Sequence, residues 1–311
     1  MQSKINIAQE INHPLVVPHL YWNRILHPTD FSDSSSVAFA HALKMATREQ
    51  GRLTIMHTEP DSENRHWGEF PHVRQTLERW GLLPPNSPKE AVVELGLDVV
   101  KISTNHSNVV ESITRYLEKH PHDLIVLATH QYQGVDRWTH KPIAEIVARR
   151  AGEMTLFIPE GVNGFINSAN GKVNLKTILI PVDKKPHPQI AIEAAASIAQ
   201  SLECSNVNLF VMHVGEEKHF PVFNPYPIRD SQWQTITSEG RVQEDILATA
   251  NRLKADLIVM VTEGHHGFLD AFRGSTTEQI VRNANCPVLA VPSEEKEPKA
   301  LQESPFFPQL I

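Results

Sequence analysis

The feature that most constrains this chain is that its second half repeats the order of its first. Asp123 precedes the apolar run Leu124-Ile125-Val126-Leu127-Ala128-Thr129, and Asp256 precedes Leu257-Ile258-Val259-Met260-Val261-Thr262. From those aspartates onward the halves keep one register of 133 residues, which sets Pro159 against Pro292. Upstream, RILHPTD (24–30) matches LKTILIPVD (175–183), both ending in Pro-x-Asp, and Met56-His57 matches Met212-His213. Self-similarity over a whole unit means two copies of one fold.

Short apolar runs rich in branched residues predict strands buried on both faces. Helical patterns lie between them, one carrying Val37, Phe39, Ala40 and Leu43, another spanning 108–119, a third carrying Ile143, Ile146 and Val147. Strands alternating with helices build a parallel sheet covered on both faces. The expected fold is therefore α/β, two tandem copies of a doubly wound, mostly parallel five-stranded sheet. The expected organisation is an irregular or loosely attached arm (1–21), a first unit (22–160), a Gly- and Asn-rich linker (161–173), a second unit (174–293) and a tail (294–311). Residues 60–91, rich in Pro, His and charge, form a long excursion with no readable periodicity.

Two units suit 311 residues. A net charge of −7 and a pI near 6.2 leave no basic surplus for a nucleic-acid partner. Cys204 and Cys286 make neither a disulfide framework nor a CxxC pair, which fits a reducing cytoplasm. No run of 18 apolar residues is present to span a membrane, and the first twenty residues lack the pattern of a secretory signal.

The stretch of greatest chemical interest is 256–278. After the strand come Gly264, Gly267 and Gly274, then Ser275-Thr276-Thr277-Glu278, a Ser-x-x-Glu capping pattern before Ile280 and Val281. Glycines beside the free N–H groups of a helix start make a phosphate site, though the same pattern also serves a purely structural turn. Asp183 either caps its turn or helps hold a base, a ribose or a divalent ion, and Lys184 and Lys185 stand beside it. His265 and His266, near Glu263, allow a metal reading, but adjacent residues rarely ligate one ion. Neither a nucleophile elbow, nor a Walker loop, nor a His-Glu-x-x-His helix occurs, so efficient catalysis is not expected.

On these motifs the chain resembles a tandem universal stress protein, two UspA-type units in one polypeptide, over roughly 22–160 and 174–293. ATP-binding members carry Gly-x-x-Gly, nine residues, then Gly-Ser or Gly-Thr after the fourth strand. Here Val261 stands at the first glycine, Gly264 at the second, and Gly274-Ser275 closes the motif. The resemblance implies that Pro181, Val182 and Asp183 end strand one beside an adenine. It further implies that His213 and Val214 hold the base from strand two, and that Val261, Thr262, Gly264, Gly267, Gly274, Ser275 and Thr276 surround the ribose and phosphates of ATP, with or without Mg²⁺. In the first unit Ala128, Gln131, Lys141 and Pro142 occupy the motif positions, so this unit is expected not to bind ATP in the family's manner. The resemblance also implies that TLFIP and PVLAVP pair the units as an intramolecular pseudo-dimer. Association of two chains and an unidentified protein partner remain open. A nucleotide-free scaffold, a slow ATPase, and a lipophilic or metabolite ligand under the 60–91 excursion are the rival readings.

Overall fold

The computed structural model describes residues 3–4, 22–59, 67–129, 143–262 and 276–293. The first half runs β2 (Arg24–Pro28), α1 (Asp33–Glu49), β3 (Arg52–Glu59), α2 (Val73–Arg79), α3 (Glu90–Glu94), β4 (Asp98–Asn105), α4 (Val109–Lys119), β5 (Leu124–Thr129), α5 (Ile143–Ala151) and β6 (Met154–Pro159). The second runs β7 (Thr177–Pro181), α6 (Pro188–Ser201), β8 (Asn208–Val214), β9 (Gln232–Ser238), α7 (Val242–Leu253), β10 (Leu257–Thr262), α8 (Thr276–Asn283) and β11 (Val288–Pro292). A two-residue β1 (Ser3–Lys4) pairs antiparallel with β9, so part of the expected loose arm is tied to the edge of the second half.

All strands among the described residues lie in one sheet, in the order β1-β9-β8-β7-β10-β11-β6-β5-β2-β3-β4. Within each half every pairing is parallel, as the helical crossovers require. The halves meet through β6 and β11, which run antiparallel with Phe157 opposite Val288, Leu156 opposite Leu289 and Thr155 opposite Ala290. The expected pseudo-dimer seam is thus a ladder that removes two apolar edges.

Apolar layers cover both faces and run across the seam. One gathers α1, α2, α3 and the alanine-rich α6, and the other gathers α4, α5, α7 and α8. Ala191, Ala194, Ala195, Ala196 and Ala199 let α6 lie close to the sheet, and all are fully buried.

The paired aspartates have a structural task. The Asp123 carboxylate accepts the Arg24 main-chain N–H at 2.9 Å and its guanidinium at 2.7 Å. Asp256 likewise accepts the N–H groups of Lys176 at 2.7 Å and Thr177 at 2.8 Å. Each aspartate begins the fourth strand of its half by pinning the start of the first.

The described part of the 60–91 excursion is built into the fold through buried Phe70, Val73, Leu77, Trp80 and Leu83. Trp80 Nε1 donates to the Ser168 carbonyl at 3.0 Å, which joins the excursion to the linker. Despite its composition the linker, largely exposed, sends Phe165 and Ile166 into the core, both almost wholly buried. Their N–H groups donate to His41 Nε2 at 3.1 and 3.2 Å, while His41 Nδ1 donates to the Val37 carbonyl at 2.8 Å.

Candidate functional site

In both halves the two central strands part early. β7 and β10 are laddered only through Ile178–Leu257 and Leu179–Ile258, and β2 and β5 only through Ile25–Leu124 and Leu26–Ile125. Their outer neighbours stay paired over five or six positions, so a crevice opens between the central strands toward their carboxyl ends. Strand order reverses at the same place, the usual ligand position of doubly wound sheets.

The turn after the first strand is built alike in both halves. Val182 N–H donates to the Met212 carbonyl at 2.8 Å, as Thr29 N–H donates to Met56 at 2.8 Å. His213 Nδ1 then donates to the Val182 carbonyl at 3.3 Å, as His57 Nδ1 donates to Thr29 at 2.7 Å. A carbonyl can only accept, so both rings carry a proton on Nδ1. The matched histidines therefore brace the end of strand two against the Pro-x-Asp turn. In the first half His57 Nε2 is buried without a hydrogen-bond partner.

Asp183 is exposed, accepts the Lys184 N–H at 2.7 Å, and lies 3.9 Å from His213 Nδ1. A Cβ at Gly215 would stand 2.7 Å from His213 Nε2, so backbone passes close to this ring. Val214 is half-buried and ends β8 opposite Ser238. Val261 sits in the β10 ladder opposite Val291, extended and packed on the apolar layer of α6, where no positive φ is demanded. Thr262 Oγ1 donates to the Val291 carbonyl at 3.4 Å and its own carbonyl accepts Ser293 N–H at 2.9 Å.

Pro181, Val182, Asp183, His213, Val214, Val261 and Thr262 thus gather at the carboxyl ends of three adjacent strands. Thr276 begins α8. Gly264, Gly267, Gly274, Ser275 and the pair His265–His266 lie outside the described residues, as do Gln131, Lys141 and Pro142 of the first half. Among the described residues no group of three or more His, Cys, Asp or Glu could hold a metal ion, and no helix is long and apolar enough to cross a membrane.

Sequence reasoning missed a polar network beneath the first crevice. His27 is fully buried, its Nδ1 donates to the Val126 carbonyl at 2.9 Å, and burial lowers its pKa to about 4. Ser35 Oγ donates to Thr29 Oγ1 at 2.8 Å beside it. A histidine inside an apolar strand, followed by a Ser cluster, was the available signal.

The model of the universal stress protein family matches residues 22–159 and 227–292. The chain belongs to this family. Universal stress protein A homolog 1 of Coxiella burnetii is 35% identical over 146 residues, covering 38% of this chain and 97% of that protein. The crystal structure of a universal stress protein from Archaeoglobus fulgidus superposes with a TM-score of 0.57 at 15% identity, covering 88% of this chain and 97% of that one. A functionally unknown protein of Pseudomonas aeruginosa gives 0.56 at 15% identity, covering 88% and 94%. At such identities the structures speak to the fold alone. The family match leaves β7, α6 and β8 unmatched, so for Pro181–Asp183 and His213–Val214 the equivalence rests on strand order and the repeated turn.

Proposed function

We propose that this universal stress protein is a nucleotide-responsive regulator of the stress response. Its second half (174–293) holds ATP, with or without Mg²⁺, at the carboxyl ends of β7, β8 and β10. The observation that carries this reading is the gathering of the Pro181–Asp183 turn, His213–Val214 and Val261–Thr262 around the crevice where β7 and β10 separate. Asp183 is exposed there and offers a carboxylate to a base, a ribose or a phosphate-bound cation. The glycine sequence between Thr262 and Thr276 supports the phosphate part, since N–H groups at a helix start attract anions. Binding rather than turnover is the activity, because no nucleophile and base are brought together among the described site residues.

The first half (22–160) is the architectural and partner-binding copy, and the chain works in the cytoplasm. Equilibrium dialysis of the full chain with labelled ATP, together with mass analysis of nucleotide released on denaturation, tests the reading. Saturable binding that is lost in Gly274→Val and weakened in Asp183→Ala is expected. No binding at sub-millimolar protein would leave a nucleotide-free scaffold.

A further inference from the structure

The linker between the halves carries the dipeptide Asn-Gly twice, at Asn163–Gly164 and Asn170–Gly171, and the sequence contains it nowhere else. Asn-Gly is the most reactive setting for asparagine, because a following residue without a side chain lets its main-chain nitrogen approach the side-chain amide carbon. The two copies stand in different surroundings. Gly171 is buried, its N–H donates to the Asn167 carbonyl at 2.7 Å, and a Cβ there would stand 2.5 Å from the Trp80 ring. Asn170 Oδ1 accepts the Lys172 N–H at 3.0 Å, so both reacting groups of this copy are held. Asn163 is exposed, and among the described residues neither its side chain nor the Gly164 N–H makes a hydrogen bond. Packing also fixes the reactive neighbour as glycine, since Gly164 has a φ of +66° and a Cβ there would stand 2.3 Å from His41 Nε2.

We propose that Asn163 is a covalent modification site at which the chain ages by deamidation, without an enzyme. The Gly164 nitrogen gives up its proton and bonds to the Asn163 side-chain amide carbon. The carbon–nitrogen bond of that amide breaks, and its nitrogen leaves with the proton as ammonia. Water then opens the cyclic imide at one of its two carbonyls, giving aspartate or isoaspartate. Both products add a negative charge, and isoaspartate also inserts a methylene into the main chain. That extra length falls just before Phe165 and Ile166, whose N–H groups donate to His41, so isoaspartate loosens the anchorage of the linker. The inference stands apart from ATP binding in the second half.

The test is incubation of the full chain in heavy-oxygen water followed by peptide mapping, which labels only the asparagines converted during the incubation. Asn163 should take up label as a mixture of aspartate and isoaspartate. Its rate should rise about tenfold for each pH unit, as the deprotonated fraction of a group far below its pKa does. Asn170 should convert at least about tenfold more slowly, because the Gly171 N–H must first leave the Asn167 carbonyl. In urea, where no N–H is held, the two should convert alike. Asn163→Gln, whose larger imide ring closes more slowly, should take up no label there and should keep its melting temperature on ageing while that of the parent falls. Equal rates at the two sites in the folded chain, faster conversion at Asn170, or label at neither site while the urea sample converts would overturn the assignment. Equal melting of the aged parent and the aged variant would overturn the loosening of the linker.

Discussion

Leu156 of β6 and Leu289 of β11 stand directly opposite each other, and they are also equivalent residues of the two halves. The pseudo-twofold axis therefore passes through this pair, and both side chains are fully buried. Replacing either leucine by alanine should cost about 2–5 kcal/mol. The double variant should cost less than the sum, because both singles empty one space. Chemical denaturation of the four proteins checks this; strict additivity would mean that the two leucines do not share packing.

His41 ties α1 to the linker through hydrogen bonds to Val37, Phe165 and Ile166. Burial lowers its pKa to about 4 from an ordinary 6.5, so it is neutral when folded. Between those values the unfolded chain binds the proton and the folded chain does not. Its contribution is therefore full above pH 6.5 and falls away as pH drops toward 4, by roughly 3 kcal/mol. His27 and His122, also lowered to about 4 by burial, act in the same direction. Stability should fall steeply over this window, and His41→Phe should flatten that slope while costing about 2–4 kcal/mol at neutral pH by stranding two N–H groups. An unchanged slope would refute the assignment.

Gly164→Ala should destabilise the chain by about 1–3 kcal/mol. Its φ is +66°, and a Cβ there would stand 2.3 Å from His41 Nε2. Gly161, also at positive φ but with open space around it, is the control and should cost less. Thermal melts compare them, and equal losses would mean that backbone conformation alone matters.

Glu145 pairs across the seam with Arg282 at 3.6 Å, and Arg282 also holds Glu278 at 2.5 Å. Burial outweighs the Arg282 charge and raises the Glu145 pKa above its usual 4.5. Such a group penalises the folded state once pH rises past the ordinary carboxylate value, and the penalty disappears on acidification. The melting temperature of Glu145→Gln relative to the parent should therefore improve as pH rises from about 4 to 7. A difference that worsens with pH would show the Arg282 pair to dominate.

Val261→Gly should leave nucleotide affinity unchanged or raise it, and should cost about 1–2 kcal/mol of stability, since it removes a strand side chain opposite Val291. Dialysis and denaturation on the same protein separate the two effects. A marked loss of affinity would mean that the motif register, which sets Val261 at the first glycine, is wrong.

The strands with continuous apolar runs, their repeat and the Pro-x-Asp turns were legible because periodicity and burial coincide there. β9, reading QWQTITS, was hidden: only Trp233 and Ile236 are buried, and polar residues separate them. The linker was disguised by glycines and asparagines, which concealed that Phe165 and Ile166 are core residues. The carboxyl ends of β7, β8 and β10 could be located from sequence because each strand ends in a recognisable dipeptide. The Glu145–Arg282 contact could not, because it joins helices of opposite halves and leaves no local pattern.

The seam has one more implication. In a pair of identical chains, residues flanking a twofold must suit copies of themselves, so one substitution always changes both sides. Here Phe157 meets Val288 while Thr155 meets Ala290, two unlike couples at mirrored places. Fusion into a single polypeptide has freed each flank to drift alone, and the two crevices with it.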